Sequence, residues 1–239
     1  MPLLCCLVTT PAAAAACQEL EAAGFSLCRE PSPEISGLML DVPTPQTAEI
    51  PWDRLPEGCR VFGGNLTGVP EGFRAHDLLK DPIYAARNAD ITARCALRLA
   101  GGRLEETLAG LPVLILGWGR IGKCLGRHLR SLGANVWVFA RNPKDRGLLA
   151  ALGYKALDRV EMLAALPGVK LVFNTAPEPL LSEADTQSCG ALLVDLASRR
   201  GMEDPRALWA RGLPGKLAPL SSGRLIAQTV CRLWKEEEV

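Results

Sequence analysis

Apolar and polar positions follow two different rhythms along this chain. Over residues 1–81, short apolar runs at 3–9, 25–28, 37–41 and 60–62 alternate with proline-rich connectors such as Pro31-Ser32-Pro33 and Pro43-Thr44-Pro45. Runs of this length bounded by turn residues predict buried strands. Residues 12–23 predict a helix, opened by Pro11 in its first turn and ended by Gly24. Residues 82–100 then carry one helical stripe through Ile83, Ala86, Ala89, Ala93, Ala96, Leu97 and Ala100, stopped by Gly101-Gly102. Beyond it, strands predicted at 113–116, 135–140, 154–156, 170–174 and 191–196 alternate with helices, and a helix over 221–234 closes the chain. Regular alternation with short loops predicts a doubly wound parallel sheet. The expected fold class is therefore α/β: a doubly wound, parallel-sheet Rossmann domain at 103–220 and a smaller, flavodoxin-like N-terminal α/β domain at 1–81. A long helix at 82–102 joins them, and a C-terminal helix at 221–239 returns toward the N-terminal domain.

Composition narrows the function classes. The 239 residues carry a net charge of +1, with 48% hydrophobic and 22% charged residues, which argues against nucleic acid or an anionic membrane surface as the main partner. No apolar run is long enough to predict a membrane span. The alanine-rich start lacks the basic n-region of a signal peptide, since the first basic residue is Arg29. The nine cysteines are scattered without C-x-x-C spacing, which reads as reduced, buried thiols in a cytoplasmic protein and predicts no metal site. The charged tail Lys235-Glu236-Glu237-Glu238 reads as a solvated helix end.

The most specific chemistry follows the run Val113-Leu114-Ile115-Leu116, where Gly117-Trp118-Gly119-Arg120-Ile121-Gly122 opens a helix. In a strand–turn–helix setting this pattern predicts a dinucleotide site. Gly117 permits the tight turn, Gly119 lets the backbone approach a pyrophosphate, and Gly122 lets the helix pack on the strand. Free N–H groups at the helix start, with Arg120 and Ile121 in its first turn, favour an anion.

Ligands of such sheets bind at the carboxyl ends of the strands. The second strand of the unit ends in Arg141-Asn142-Pro143-Lys144, and Arg141 lies 19 positions beyond Gly122, where a ribose-binding carboxylate is expected. A guanidinium there suits a 2′-phosphate, so NADP is expected as cofactor, with NAD as the alternative if Arg141 is a solvent-facing loop residue. Asn142 and Lys144 join it as cofactor-binding candidates. Asn174-Thr175-Ala176-Pro177, at the end of the fourth strand, offers neutral donors and acceptors beside the nicotinamide. The fifth strand ends in Asp195-Leu196-Ala197-Ser198-Arg199-Arg200; Asp195 is either a functional hydrogen-bonding group or a helix cap, and Ser198 is a cofactor candidate. Lys216 is a candidate cation for an acidic substrate. Ser221 and Ser222 sit where a helix is predicted to begin, so one is expected as its N-cap. His128 reads as a packing residue, and His76 has no evident partner in sequence.

These segments, with Leu132-Gly133-Ala134-Asn135-Val136 and Leu213-Pro214-Gly215-Lys216-Leu217-Ala218-Pro219, resemble the A-subunit family of dipicolinate synthase over roughly residues 80–230. The resemblance implies a nicotinamide-dependent oxidation of dihydrodipicolinate to dipicolinate during sporulation, together with a second, flavoprotein-like subunit. It implies a small dicarboxylate substrate held by cationic anchors, for which Lys216, Arg199 or Arg200, and the helix start at Ser222 are candidates; a homo-oligomer is also expected. The family pattern Asn-x-x-x-Thr-Ala-Glu-Gly on the linking helix is met here by Asn88 and Thr92, but Arg94 stands in place of the glutamate and Cys95 in place of the glycine. After Ser198 the family's Pro-Gly-Gly is absent, and a strand is expected to be missing between Trp209 and Leu213. Two other readings stay open. One is a different two-domain dehydrogenase, of 2-hydroxyacid or shikimate type. No histidine follows His128 for the former, and Lys80 is the only lysine of the first half for the latter. The other is a non-catalytic nucleotide-binding regulatory subunit, which Arg94 favours.

Overall fold

A computed structural model describes residues 1–46 and 49–237. The chain divides into two compact units, one formed by Met1–Ile91 and the chain from Pro214 onward, the other by Thr92–Leu213. In chain order the first unit contains β1 (Leu3–Leu7), α1 (Pro11–Ala22), β2 (Ser26–Cys28), β3 (Gly37–Leu40), β4 (Arg60–Gly63) and β5 (Arg74–Asp77). The division falls within α2 (Pro82–Gly101). The second unit holds β6 (Pro112–Leu116), α3 (Arg120–Ser131), β7 (Asn135–Phe139), α4 (Pro143–Ala151), β8 (Lys155–Leu157), α5 (Arg159–Ala165), β9 (Leu171–Asn174), α6 (Glu183–Thr186), β10 (Leu192–Asp195) and β11 (Leu208–Trp209). The short helix α7 (Leu213–Leu217) and α8 (Pro219–Glu236) follow. Among the described residues no helix is long and apolar enough to cross a membrane.

The first sheet has the order β2-β1-β3-β4-β5, and every pair is parallel. This is the flavodoxin order, in which the winding reverses between β1 and β3. Its centre is apolar on both faces, as a covered parallel sheet requires: all four residues of β3 are buried. At the reversal, Asp41 accepts hydrogen bonds from the backbone N–H groups and hydroxyls of Thr9 and Thr10. Burial pushes its pKa up, but these bonds outweigh burial and hold the carboxyl below its usual range. The turn into α1 is thereby fixed, and Thr10 caps the helix by accepting from the Ala13 N–H.

β5 is absent from the predicted elements because Arg74-Ala75-His76-Asp77 carries no apolar run. It is an edge strand, and pairing with β4 defines it. A charge cluster covers this region. Glu237 Oε2 lies 2.8 Å from Arg60 Nε, Glu237 Oε1 lies 2.9 Å from His76 Nε2, and Arg74 is 3.6 Å away. His76, without an evident partner in sequence, also stacks on Phe62. Burial is the largest influence on its pKa, which lies below the usual histidine value despite the adjacent carboxylate. The tail is thus not simply a solvated helix end: Glu237 is a docked residue, while Glu238 lies outside the described residues.

α8 starts earlier than the pattern predicts. Pro219 sets the first helical φ and Ala218 occupies the cap without a side-chain bond, so neither Ser221 nor Ser222 is the N-cap. Its buried face, including Leu225, Ile226, Val230 and Trp234, packs against the alanines of α1. Small residues make the approach possible. A Cβ on Gly223 would stand 2.6 Å from the Ala12 carbonyl oxygen and 2.6 Å from the Ala15 Cβ. The Trp234 ring meets Phe25 edge-on at 5.2 Å, and the Arg60 guanidinium lies 4.2 Å from the Trp234 ring centroid.

The second sheet has the order β11-β10-β9-β6-β7-β8, again parallel throughout. Read from β8, this is the 3-2-1-4-5-6 order of a dinucleotide-binding fold, with the reversal between β6 and β9. The architecture is the doubly wound α/β class expected from the sequence. The segment between Trp209 and Leu213, where a missing strand is expected, carries no strand; just before it Leu208 and Trp209 form β11, paired with Val194 and Asp195. Two residues are too few to leave a periodic signal.

Gly223→Ala is expected to destabilise the first unit by roughly 1–3 kcal/mol through overpacking against the α1 backbone. Urea unfolding followed by circular dichroism measures it, and an unchanged midpoint would show that the two helices can separate at little cost.

Candidate functional site

The second unit's candidate site is built outward from the end of β6. Val113, Leu114, Ile115 and Leu116 are fully buried, which fixes the strand between β7 and β9. Gly117 leaves it with φ of 97°, a conformation that L side chains rarely adopt. Its N–H donates to the Phe139 carbonyl, and a Cβ there would press to 2.9 Å from Thr175 Oγ1. Thr175 in turn donates through its hydroxyl to the Leu116 carbonyl at 3.0 Å, tying the loop after β9 to the end of β6. Gly122, in the first turn of α3, would place a Cβ 2.3 Å from the Gly117 carbonyl oxygen. Gly117 and Gly122 are therefore demanded by the fold itself.

Gly119 differs from both. A Cβ there would meet nothing within 4 Å, and Gly119 occupies the N-cap of α3 with no side-chain cap. No side chain fills the role of an N-cap acceptor at the start of a twelve-residue helix, and space lies in front of it. The adjoining cavity has a volume of about 370 Å³. Gly117, Trp118 and Gly119 form its floor, Ala140, Arg141 and Asn142 one wall, and Thr175, Ala176, Pro177 and Glu178 the other. Trp118 is 9% exposed and packs edge-on against Tyr154 at 5.1 Å, an approach that Gly126 permits. The buried Trp118 Nε1 has no hydrogen-bond partner among the described residues.

Arg141 leaves β7 with its carbonyl, and that of Ala140, held by the Arg146 guanidinium at 2.7 and 2.9 Å. Its own guanidinium lines the cavity and pairs with Glu178 at 2.6 Å. Asn142 lines the cavity, yet its side-chain oxygen accepts from the Lys144 N–H and caps α4. Lys144 itself is exposed in the first turn of α4, away from the cavity lining.

Asn174 and Asp195 lie behind the cavity lining. Both are fully buried and neither lines the cavity. Asp195 accepts from Asn174 Nδ2 at 2.9 Å and from the backbone N–H groups of Ala197, Gly201 and Met202. Asn174 also donates to the Ala176 carbonyl and accepts from the Ala176 N–H. Asp195 caps no helix; its carboxylate is bonded to the loops that follow β9 and β10. The pair shapes the loops from within, and a Cβ on Gly201 would collide with Asn174 Nδ2 at 2.4 Å. Further along the same loop, Asp204 is buried and receives Thr186 Oγ1 and the Arg206 guanidinium, both at 2.6 Å. The Arg206 hydrogen bonds, acting against burial, hold the Asp204 carboxyl down at about 2.

Other sequence candidates separate cleanly. Arg120 and Ile121 lie in the first turn of α3 and Ser198 is exposed beyond β10; none of them lines the cavity. Arg200 is drawn back onto the Asp204 and Ala207 carbonyls. Asn88 and Thr92 stand one turn apart on α2, half-buried, with Arg94 exposed nearby. Lys216 is exposed on α7, whereas Ser222 is buried inside α8 with its hydroxyl enclosed. His128 is buried in α3, consistent with a packing residue. All nine cysteines are free thiols. Sequence reasoning missed Trp118, Asp145 and Glu178 as lining residues, although Trp118 lies inside the glycine motif and Glu178 directly follows Pro177. The first unit has its own cavity of about 530 Å³ at the carboxyl ends of β1 and β3, lined by Thr9, Arg29, Asp41 and Thr44 among others.

Asp195→Ala leaves four donors without their acceptor, three of them backbone groups in a buried loop. A loss of at least about 3 kcal/mol is expected, read as a lowered thermal midpoint. A variant as stable as the parent protein would show that water replaces the carboxylate.

No protein-family model matches the chain. The A subunit of dipicolinate synthase from Bacillus subtilis (strain 168) is 30% identical over 200 residues, covering 77% of this chain and 67% of that protein. The fold matches the A subunit of dipicolinate synthase from Bacillus halodurans with a TM-score of 0.80 at 20% identity, over 97% of this chain and 96% of the other. It also matches a transhydrogenase from Sinorhizobium meliloti with a TM-score of 0.74 at 16% identity, over 92% and 80% of the two chains. The glycine turn, the loops after β9 and β10 and the two parallel sheets thus sit in a recognised lineage, and this chain belongs to the A-subunit family of dipicolinate synthase.

Proposed function

We propose that this chain is a nicotinamide-dependent oxidoreductase subunit that takes NADP in preference to NAD and oxidises a dihydropyridine dicarboxylate to the aromatic dicarboxylate. The observation that carries the reading is the open space at Gly119 before an α3 start that no side chain caps. A dinucleotide pyrophosphate fits that position: it needs close backbone approach and N–H donors, and a side chain at residue 119 would occupy its place. Arg141 would hold a 2′-phosphate, and Thr175, Ala176 and Pro177 would form the opposite wall. When bound, the nicotinamide supplies the two-electron acceptor.

On the substrate side, we assign Asn88 and Thr92 as neutral hydrogen-bonding groups and Lys216 as a cationic anchor, from their match to the family motifs. Charge neutralisation and positioning suit a reaction whose driving force is the aromaticity of the product. Membership in a family whose relatives are subunits of a synthase supports a second, partner subunit, and the free thiols suit a reducing, cytoplasmic setting. Arg94, exposed on α2 where the family pattern has glutamate, supports a second reading in which the nucleotide is bound without turnover. Absorbance of the reduced cofactor, followed with dihydrodipicolinate and the partner subunit present, separates the two.

Titration with NADPH and NADH, followed by tryptophan fluorescence, tests the nucleotide site, because Trp118 lines the cavity. Gly119→Val is expected to melt at the parent temperature, since its side chain enters empty space, yet to bind NADPH at least about tenfold more weakly, or about 1.4 kcal/mol. Unimpaired binding would move the nucleotide elsewhere. Arg141→Glu is expected to weaken NADPH about tenfold or more while leaving NADH within about threefold. Full retention of NADPH affinity in that variant would refute the NADP assignment.

A further inference from the structure

The cavity that receives the proposed nucleotide is closed at its rim by a charge pair. β6 lies between β7 and β9, so Arg141, two residues beyond β7, and Glu178, four residues beyond β9, meet across the glycine turn. Their 2.6 Å contact ties one wall of the cavity to the other. Arg141 is the one cation among the described lining residues, and it shares the lining with two carboxylates, Glu178 and Asp145. Asp145 sits in the first turn of α4, where the helix dipole favours an anion. Glu178 has no such role, and its carboxylate accepts from Arg141.

We infer that Glu178 is a specificity-determining residue: by holding Arg141 it weakens the grip of this site on a 2′-phosphate and narrows its discrimination between NADP and NAD. The inference rests on the nucleotide reading of the cavity. Glu178 takes an Nη1 donor of the Arg141 guanidinium and sets a negative charge beside it, so that donor and part of the attraction are lost to a second anion. A 2′-phosphate arriving at Arg141 must therefore share the cation with the Glu178 carboxylate or displace it, and in either case lies near that negative charge. A ribose with a free 2′-hydroxyl makes no such demand and leaves the ion pair in place. Selectivity is a difference between two affinities, and a resident competitor for the discriminating cation lowers one without touching the other. The pair is solvent-facing, with the Arg141 and Glu178 side chains 71% and 44% exposed, so breaking it leaves the fold undisturbed.

The test is a four-protein cycle: the parent chain, Glu178→Gln, Arg141→Ala and the double variant, each titrated with NADPH and NADH in low salt. Glu178→Gln is expected to raise NADPH affinity about fivefold and to leave NADH within about twofold, with an unchanged melting temperature. In the Arg141→Ala background the same substitution is expected to leave the NADPH-to-NADH ratio unchanged, since the cation under competition is gone. An unchanged ratio in Glu178→Gln overturns the inference while leaving the nucleotide site intact. An equal gain in both backgrounds also overturns it, because it would show direct repulsion of the phosphate by Glu178 rather than competition for Arg141. Failure of the parent chain to bind either nucleotide would remove the nucleotide reading itself, and this inference with it.

Discussion

The approach of α3 to the end of β6 is the constraint on which the second unit depends. With only 2.3 Å between an imagined Gly122 Cβ and the Gly117 carbonyl oxygen, no side chain is compatible with that crossing. The positive φ of Gly117 then aims the chain from strand to helix, and Thr175 closes the third side by bonding the Leu116 carbonyl. These contacts hold β6, α3 and the loop after β9 in one arrangement. Gly119 sits at the apex of the turn, the one glycine of the three whose missing side chain leaves a void instead of relieving a clash. The motif therefore contains two residues that make the turn and one that keeps it vacant.

Beneath the cavity wall, a second layer acts by hydrogen bonding. The carboxylate of Asp195 is fully buried and collects one side-chain and three backbone donors, fixing the paths of the loops after β9 and β10. A charge in such a place is tolerable only with its acceptor sites filled. With its acceptors filled in this way, Asp195 positions the loops that follow the two strands.

Sequence pattern reveals the sheets well wherever burial produces a long signal. β6, β7, β9 and β10 are apolar runs, and α2 shows a clear stripe; all lie within two residues of their predicted ends. β5 and β11 are illegible for physical reasons: one is a polar edge strand, the other two residues long. Serines beside a helix suggest a cap at the start of α8, whereas Pro219 has already set the helical φ before them. At the candidate site the glycine turn, Arg141 and Thr175–Pro177 are legible. Glu178, Asp145 and Trp118 are not, because a lining residue is defined by what faces it across the sheet, and that neighbour is distant in sequence. The docking of Glu237 on Arg60, Arg74 and His76 is hidden for the same reason.

The two units solve one problem in the same way. In the first, Asp41 at the end of β3 gathers the N–H and hydroxyl groups of Thr9 and Thr10 where the winding reverses. In the second, Asp195 at the end of β10 gathers the donors of its own loops. Parallel strands converge their carboxyl ends on one edge, and the turns that leave that edge expose N–H groups that need acceptors. A carboxylate placed there satisfies several at once, and at Asp41 these bonds hold the carboxyl below its usual range. Carboxylates at the strand ends of this fold are thus first of all scaffolding. What this scaffolding leaves accessible at the second unit's cavity is Gly119, with nothing before it, and the exposed Arg141–Glu178 pair, the groups on which the proposed function rests.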